Sequence, residues 1–289
     1  MRSMESPDVA VELQMELGEG AFWDSSRRSL VWVDILGGAV HELHDGKHRV
    51  HDVGTHVGVA APRARGGWVL AVRDGFAAFD PDMGRVEMLR RIEVPATRMN
   101  DGNVDSRGRF YAGSMLYSEQ KNGGRLYRLD PDLSVSVVLD PVSVSNGIDW
   151  SPDGRTVYYV DSHTRTIARF DYDLDSGAWS SGSTFARLGD DEGFPDGLTV
   201  DVEGCVWLAV WDGAQVRRYT PDGRVERTIE VPAPRVTSCG FGGSELTTLY
   251  ITTARVGLTA DMLERSPLSG SVFAIEVGVS GRPRNAFRG

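Results

Sequence analysis

A strand-like unit recurs along the chain at intervals of about 38 to 49 residues, a period typical of β-propeller blades. Each unit begins with a short run of β-branched, aromatic and other apolar residues, and a second run follows that ends in a turn rich in Asp, Pro and Gly. The six first runs are residues 30–35, 68–72, 109–113, 156–160, 205–210 and 248–252. We therefore predict six blades of three or four antiparallel strands each.

Glycine and proline interrupt the chain too often for a largely helical fold, with 34 Gly and 13 Pro in 289 residues. We predict an all-β protein, a six-bladed β-propeller formed by residues 1–289 as one domain. An N-terminal strand at about residues 8–15 is expected to pair with the last blade and close the ring. A β-sandwich is the alternative, but its strands would not repeat as a whole unit at this interval.

Charge and composition argue against nucleic-acid and membrane partners. The chain has 41 acidic and 31 basic residues, a formal net charge of -10, and its basic residues are scattered. The first residues lack the apolar core of a secretory signal, and no stretch approaches the roughly 20 apolar residues of a membrane span. The two cysteines, Cys205 and Cys239, suit reduced thiols. We expect a cytoplasmic protein, whose oligomeric state the sequence does not specify.

A dipeptide that ends in glycine precedes each first run by about ten residues, as expected if one turn opens every repeat. The six dipeptides are Glu19-Gly20, Val57-Gly58, Asp101-Gly102, Asn146-Gly147, Asp196-Gly197 and Cys239-Gly240. In a propeller the innermost strands surround one axis, so equivalent residues at their starts converge there. Four of the six dipeptides therefore bring a carboxylate or a carboxamide to the axis.

Carboxylates gathered on one axis repel each other, and a divalent cation makes the same arrangement favourable. Oxygen ligands from Glu19, Asn146 and Asp196, completed by water, suit calcium, magnesium or manganese, and zinc also accepts carboxylates. We predict one divalent metal ion at this position. The alternative is that these dipeptides are hairpin turns, as Asp153-Gly154 and Asp222-Gly223 are expected to be.

Four longer motifs contain one of these dipeptides each, and a fifth lies between the third and fourth dipeptides. They are Leu-Gly-Glu-Gly-Ala-Phe-Trp-Asp at 17–24, Arg-Met-Asn-Asp-Gly-Asn-Val-Asp at 98–105, Ala-Gly-Ser-Met at 112–115, Ser-Asn-Gly-Ile-Asp-Trp at 145–150 and Phe-Pro-Asp-Gly-Leu at 194–198. In these motifs and their order the chain resembles the family of regucalcin, gluconolactonase and related sugar lactonases. The resemblance covers nearly the whole chain, although Ala21 stands where relatives commonly have proline.

The resemblance implies a role for each candidate site residue. Glu19, Asn146 and Asp196 would bind one divalent metal ion, and Asp196 would also act as the general base. Arg98, Asn100 and Asp101 would bind the substrate. Glu119 is the candidate for a further substrate-binding glutamate. For Arg98 an ion pair with a neighbouring carboxylate on the channel rim is the alternative.

The function that follows is metal-dependent hydrolysis of an aldono-lactone, such as a glucono-, xylono- or arabinono-lactone, to its aldonic acid. The chain would thus be a hydrolase whose partner is a small-molecule sugar lactone. Two alternatives stay open, an organophosphate hydrolase on the same propeller and a non-enzymatic calcium-binding propeller.

Histidine and serine chemistry find little support in the sequence. Five histidines between residues 41 and 56 are expected on a polar strand face at the surface, and His163 stands alone. The chain has no Gly-x-Ser-x-Gly motif that would indicate a serine nucleophile.

Overall fold

The computed structural model describes residues 6–92 and 94–289, which form six antiparallel four-stranded sheets. The sheets are arranged as the blades of a six-bladed β-propeller, so the predicted all-β fold class is confirmed. Of the predicted domain, residues 1–5 and 93 lie outside the described part. No helix in the described ranges is long and apolar enough to cross a membrane.

The strands follow one another in a meander, and each blade takes four of them. The strand β1 (Asp8–Val11) belongs to the sixth blade. The first three blades are β2 (Gly18–Asp24), β3 (Ser29–Asp34), β4 (Ala39–His44) and β5 (Lys47–Asp52); β6 (Val57–Pro62), β7 (Trp68–Val72), β8 (Gly75–Asp80) and β9 (Arg85–Arg91); and β10 (Thr97–Val104), β11 (Phe110–Leu116), β12 (Gly124–Leu129) and β13 (Val135–Val142).

The remaining blades repeat this order. They are β14 (Ser145–Trp150), β15 (Thr156–Asp161), β16 (Thr166–Tyr172) and β17 (Trp179–Arg187); β18 (Phe194–Val200), β19 (Val206–Trp211), β20 (Gln215–Tyr219) and β21 (Val225–Glu230); and β22 (Val236–Gly242), β23 (Thr248–Thr253) and β24 (Val272–Glu276) with β1. A 3-10 helix (Ser162–Thr164) follows β15, and α1 (Ala260–Arg265) lies between β23 and β24.

The sixth blade joins the two ends of the described chain. Its order is β1-β24-β23-β22, with Asp8 opposite Ala274 and Val9 opposite Phe273. Because β1 is the outermost strand of this blade, its pairing with β24 closes the ring through backbone hydrogen bonds.

Burial decreases from the axis outwards. The innermost strands β2, β6, β10, β14, β18 and β22 are almost entirely buried, whereas the outermost strands β5 and β9 are largely exposed. The apolar core lies between neighbouring blades, as where Val31 and Val33 of the first blade join Trp68 and Leu70 of the second. Each of the six predicted first runs overlaps the second strand of a blade, which is why those runs are continuously apolar.

Buried aspartates end several innermost strands and bind the turn that follows. Asp24 accepts hydrogen bonds from the backbone amides of Ser26 and Arg27 and, at 2.9 Å, from the indole N–H of Trp68 in the next blade. Asp201 ends the fifth blade's innermost strand in the same way. Its Oδ1 accepts from two turn amides, while its Oδ2 accepts from the Trp207 indole and the Arg218 guanidinium.

The prediction that the histidines of the first blade lie on a surface face is wrong for His41. This side chain is buried and packs against the rings of Trp32 and His48, at centroid distances of 5.3 and 5.1 Å. Burial lowers the pKa of His41 to about 4, so the ring is neutral near pH 7. The alternation along β4 was misleading because it counts histidine as a polar residue, whereas a neutral imidazole can pack in the interior as an aromatic ring.

We predict that Asp201→Ala lowers the free energy of unfolding by about 3 to 5 kcal/mol, because it leaves the buried Trp207 indole N–H and two turn amides without their acceptor and removes the buried carboxylate among the acids that bind Arg218. Urea unfolding followed by circular dichroism measures the change. The matched control is Asp222→Ala in the exposed turn before β21, which should leave stability nearly unchanged. Equal effects of the two substitutions would contradict the role given to Asp201.

Candidate functional site

The six glycine dipeptides lie within the innermost strands, and the expected opening turn is instead a β-bulge. The pairing of each innermost strand with the second strand of its blade shifts at or next to the dipeptide, for example between Glu19 and Phe22 and between Pro195 and Leu198. A bulge adds an unpaired residue to one strand and re-aims its side chain. The repeat therefore places an equivalent bulged residue near the axis in each blade.

Glycine follows most of these side chains because backbone or side-chain atoms lie where a Cβ atom would be. A Cβ atom at position 147 would lie 2.5 Å from the backbone nitrogen of Leu198, and one at position 240 would lie 2.0 Å from the carbonyl oxygen of Ala21, both in a neighbouring blade. Real Cβ atoms do not occupy such positions, so no larger residue fits there without moving a strand. Gly20 differs, because a Cβ atom would have space but the residue has a φ of +60°, a left-handed conformation that favours glycine.

A cavity of about 320 Å³ opens at the end of the axis where the innermost strands begin. This volume is in the range of small-molecule sites. The cavity is lined by Leu17, Glu19, Leu36, Arg98, Asn100, Met115, Tyr117, Glu119, Val144, Asn146, Ser162, His163, Phe194, Asp196, Trp211 and Val256. Six of the seven candidate residues named from the sequence are in this lining. The seventh, Asp101, is buried on the axis but does not line the cavity.

Glu19, Asn146 and Asp196 reach the cavity from the first, fourth and fifth blades, and all three are buried. The amide nitrogen of Asn146 donates to the hydroxyl of Ser162 at 3.0 Å, which turns its carbonyl oxygen the other way. Within the described residues, neither this oxygen nor Oδ1 of Asp196 has a hydrogen-bond partner. Buried acceptor oxygens need a positive or donating partner. Two such oxygens beside a third buried carboxylate therefore fit a hard divalent cation.

The electrostatics of the axis point the same way. Burial raises the pKa of Glu19 well above its ordinary value, and repulsion from Asp196 and Asp101 raises it further. Burial and repulsion from Asp101 likewise raise the pKa of Asp196, against a smaller opposing effect of Asn146 and Arg98. Without a cation, burial and mutual repulsion favour the protonated, neutral form of these carboxyl groups. A divalent cation would stabilise their ionised forms.

Arg98 is buried in the cavity wall and is oriented by neutral groups. Its Nη1 donates to the side-chain oxygen of Asn100 at 2.6 Å and to the backbone oxygen of Met99, and the Asn100 amide donates in turn to the backbone of Ser145. Among the ion pairs of the described ranges none involves Arg98. The guanidinium is therefore held in place but not neutralised by a carboxylate.

Several lining residues were not found by sequence reasoning. Ser162 and His163 lie in the 3-10 helix after β15, which carries no recognisable motif. Tyr117 accepts or donates a hydrogen bond with His56 Nδ1 at 2.7 Å. Phe194 and Trp211 lie opposite each other on β18 and β19. Phe194 precedes the Pro-Asp-Gly motif, so of this group it had the clearest sequence signal.

A second acidic group, made of Asp201, Glu203 and Cys205, lies away from the cavity, with its ligand atoms within 4.8 Å of one another. Arg218 already binds this group, at 2.7 Å from Asp201 and 2.5 Å from Glu203. Since the guanidinium supplies the compensating charge, the group is explained as part of the turn network of the fifth blade.

Comparison with known proteins places the chain among relatives of one kind. The sequence model of the SMP-30/Gluconolactonase/LRE-like region matches residues 17–255. Regucalcin from Danio rerio is 37% identical over 289 residues, covering 98% of both chains. A 6-deoxy-6-sulfogluconolactonase from Pseudomonas putida is 37% identical over 279 residues, covering 94% of this chain and 95% of the relative.

A solved structure shows the same architecture. The crystal structure of a calcium-binding protein, regucalcin, from Agrobacterium tumefaciens superposes with a TM-score of 0.94 at 29% identity, covering 98% of this chain and 97% of the other.

We predict that Asp101→Asn stabilises the metal-free protein at neutral pH. Burial raises the pKa of Asp101 to about 6, above its ordinary value of 3.8, so ionisation weakens the folded state as pH rises through this window. Asparagine lacks this penalty. In EDTA, the advantage of the variant over the wild type in urea unfolding should fall by about 2 kcal/mol between pH 7.5 and pH 4.5.

The control for this comparison is Glu264→Gln on the exposed face of α1, which should show no such difference between the two pH values. A variant at position 101 that is no more stable than the wild type at pH 7.5 would show that Asp101 is not an unfavourable buried charge.

Proposed function

The chain belongs to the SMP-30/gluconolactonase/LRE-like family, and from this premise we propose that it hydrolyses the ester bond of a sugar lactone with the help of one divalent metal ion. Relatives named as lactonases support lactone hydrolysis as the reaction. The observation that carries the proposal is the convergence of Glu19, Asn146 and Asp196 from three blades on one cavity, where two acceptor oxygens have no partner among the residues that the structure describes.

Glu19, Asn146 and Asp196 would hold the metal ion, as carboxylate and amide oxygens suit calcium, magnesium, manganese or zinc. When bound, such an ion supplies Lewis-acid polarisation of the lactone carbonyl. The number of ionised ligands also matches the charge of the ion, since the two carboxylates together carry two negative charges. Asn146 adds an oxygen without adding charge.

Asp196 is the proposed general base. Its Oδ1 faces no donor within the described residues, and burial makes the carboxylate more basic than in water. Water attacks the carbonyl carbon of the lactone while this carboxylate accepts a proton from it. The ring C–O bond then breaks, and the proton passes to the departing ring oxygen, which becomes the new hydroxyl of the aldonic acid.

The cavity lining contains polar and apolar groups that would orient a sugar ring. Arg98, Asn100 and Glu119 offer partners for ring and hydroxyl oxygens. Phe194 and Trp211, which are neighbours on β18 and β19, would offer aromatic surface to the C–H groups of the ring. Because Asp101 lies outside the lining, direct contact between Asp101 and the substrate is not part of this proposal.

The proposal is tested by acid release in a pH-stat with glucono-, galactono-, xylono- and arabinono-lactones. Protein stripped with EDTA receives calcium, magnesium, manganese or zinc chloride, and spontaneous hydrolysis is subtracted. We expect at least one ion to restore turnover. No turnover in any pairing would contradict the lactonase assignment, and paraoxon hydrolysis in the same protein would then support the organophosphate alternative.

We predict that Asp196→Asn lowers kcat by about 10²- to 10⁴-fold, because a neutral amide cannot accept the proton from water. The same substitution should weaken metal binding measured by calorimetry, since one ionised ligand is lost. Asp222→Asn in an exposed turn is the matched control and should retain both properties. Full activity of the Asp196→Asn protein would refute the base and ligand assignments together.

We predict that Arg98→Ala raises KM by roughly 10- to 100-fold while kcat changes much less, because the guanidinium binds substrate and transition state alike. Steady-state kinetics on the preferred lactone measure both constants. Arg125→Ala is the control, since this guanidinium is exposed, pairs with Asp140 and does not line the cavity. A loss confined to kcat would instead assign Arg98 to the chemical step.

A further inference from the structure

The segment that follows the last blade, residues 278–289, crosses the end of the axis opposite the cavity. We call it the strap. The cavity is lined by residues near the starts of the innermost strands, such as Asn146 and Asp196, whereas the strap binds their ends. The matched family region ends at residue 255, so the strap lies beyond it.

The strap donates hydrogen bonds to the carbonyl group of the last residue of four innermost strands. These bonds run from the Phe287 amide to Pro62, from the Asn285 side chain to Val104, and from the Arg282 guanidinium to Trp150 and Val200. The amide of Gly281 also donates to Leu246 in the sixth blade. The strap thus ties blades that are far apart in the sequence.

Arg284 is the strap residue that enters the axis. Its Nη2 donates to the carbonyl oxygen of Gly102 at 3.2 Å, and its guanidinium carbon lies 5.9 Å from the centre of the Phe22 ring. The amide of the same glycine donates to Oδ1 of Asp101 at 2.6 Å. One residue, Gly102, therefore connects the carboxylate above it with the guanidinium below it.

Arg284 is the cation nearest in effect to Asp101 at this end of the axis, although Asp149 also acts on Arg284. Arg282 already forms an ion pair with Asp149 at 3.1 Å. Asp101 has no ion pair of its own in the described ranges, and Arg284 is the cation that lowers its pKa against the effect of burial. Reciprocally, Asp149 and Asp101 are the acids that act on Arg284.

We propose that Arg284 is the counter-charge of Asp101 and, through that residue, sets how tightly the axial site binds its divalent cation. This inference rests on the metal site of the proposed function. With Arg284 present, Asp101 adds no net charge to the site, so the cation is held by Glu19, Asn146 and Asp196. Arg284 is a positioning residue in this scheme, because it touches neither metal nor substrate.

The proposal predicts a direction that lost structure would not produce. Removing the positive charge leaves Asp101 as an extra negative charge near the cation, so Arg284→Gln should bind the metal more tightly, on the order of tenfold. A substitution that only loosened the strap would weaken binding instead. Neutralising the partner, Asp101→Asn, should weaken binding, and the double variant should return near the wild-type affinity.

The experiment is isothermal titration of the full chain, stripped with EDTA at pH 7.5, with calcium, magnesium, manganese or zinc chloride alone. The ion that the wild type binds most tightly is then titrated into Arg284→Gln, Asp101→Asn and the double variant. Arg284→Lys keeps the charge and should keep the wild-type affinity. Arg288→Gln, on the exposed side of the strap, is the matched control and should leave affinity unchanged.

A second readout is the rise in melting temperature on adding the ion, which should be larger for Arg284→Gln than for the wild type. If Arg284→Gln does not fold, unchanged affinity of Asp101→Asn overturns the proposal, and weaker binding of that variant with wild-type binding of Arg284→Lys supports it. Unchanged or weaker binding by folded Arg284→Gln also overturns it. If the wild type binds a metal ion but the Arg284 prediction fails, the proposed function still stands. If the wild type binds none of the four ions, both the role of Arg284 and the metal-dependent function are contradicted.

Discussion

The close approach of six innermost strands around one axis is the constraint on which the rest of this structure depends. Backbone from neighbouring blades lies where a Cβ atom would otherwise be, as at Gly147 and Gly240. Each strand accommodates this approach with a bulge, and the bulge aims the preceding side chain inwards. Packing and site formation are therefore consequences of the same local geometry, which explains why candidate ligands and glycines occur as pairs in the sequence.

Bringing acidic side chains together in this way has an electrostatic cost, and the structure offsets it from both ends of the axis. At the cavity end, Glu19 and Asp196 are arranged with Asn146 around a position suited to a cation. At the other end, the strap brings Arg284 beneath Asp101. The axial site and the C-terminal strap are distant in sequence, but both would contribute to the electrostatic potential at the position of the cation.

Much of this arrangement could be predicted from the sequence because it repeats. The period of the apolar runs predicted the blades, and the recurring glycine dipeptides predicted which residues meet at the axis. Local patterns were less informative where one residue type can occur in two different structural environments. The glycine dipeptides were expected to lie in one turn that opens every repeat, but Asp196-Gly197 lies in a bulge, and His41 was expected at the surface but packs as a neutral ring against Trp32. In both cases the neighbour that decides the outcome belongs to another strand.

By itself, the sequence determined the all-β propeller, the number of blades and the approach of Glu19, Asn146 and Asp196 to the axis, because a repeated pattern carries its own geometry. The family resemblance added Arg98, Asn100 and Glu119, which also line the cavity. Only the tertiary structure decided that Asp101 lies beneath the cavity, that Ser162 and His163 join its wall, and that Arg284 reaches the axis from the far end. The physical reason is that these contacts join segments tens to hundreds of residues apart, and no local period or motif records which of them the closing of the ring will bring together.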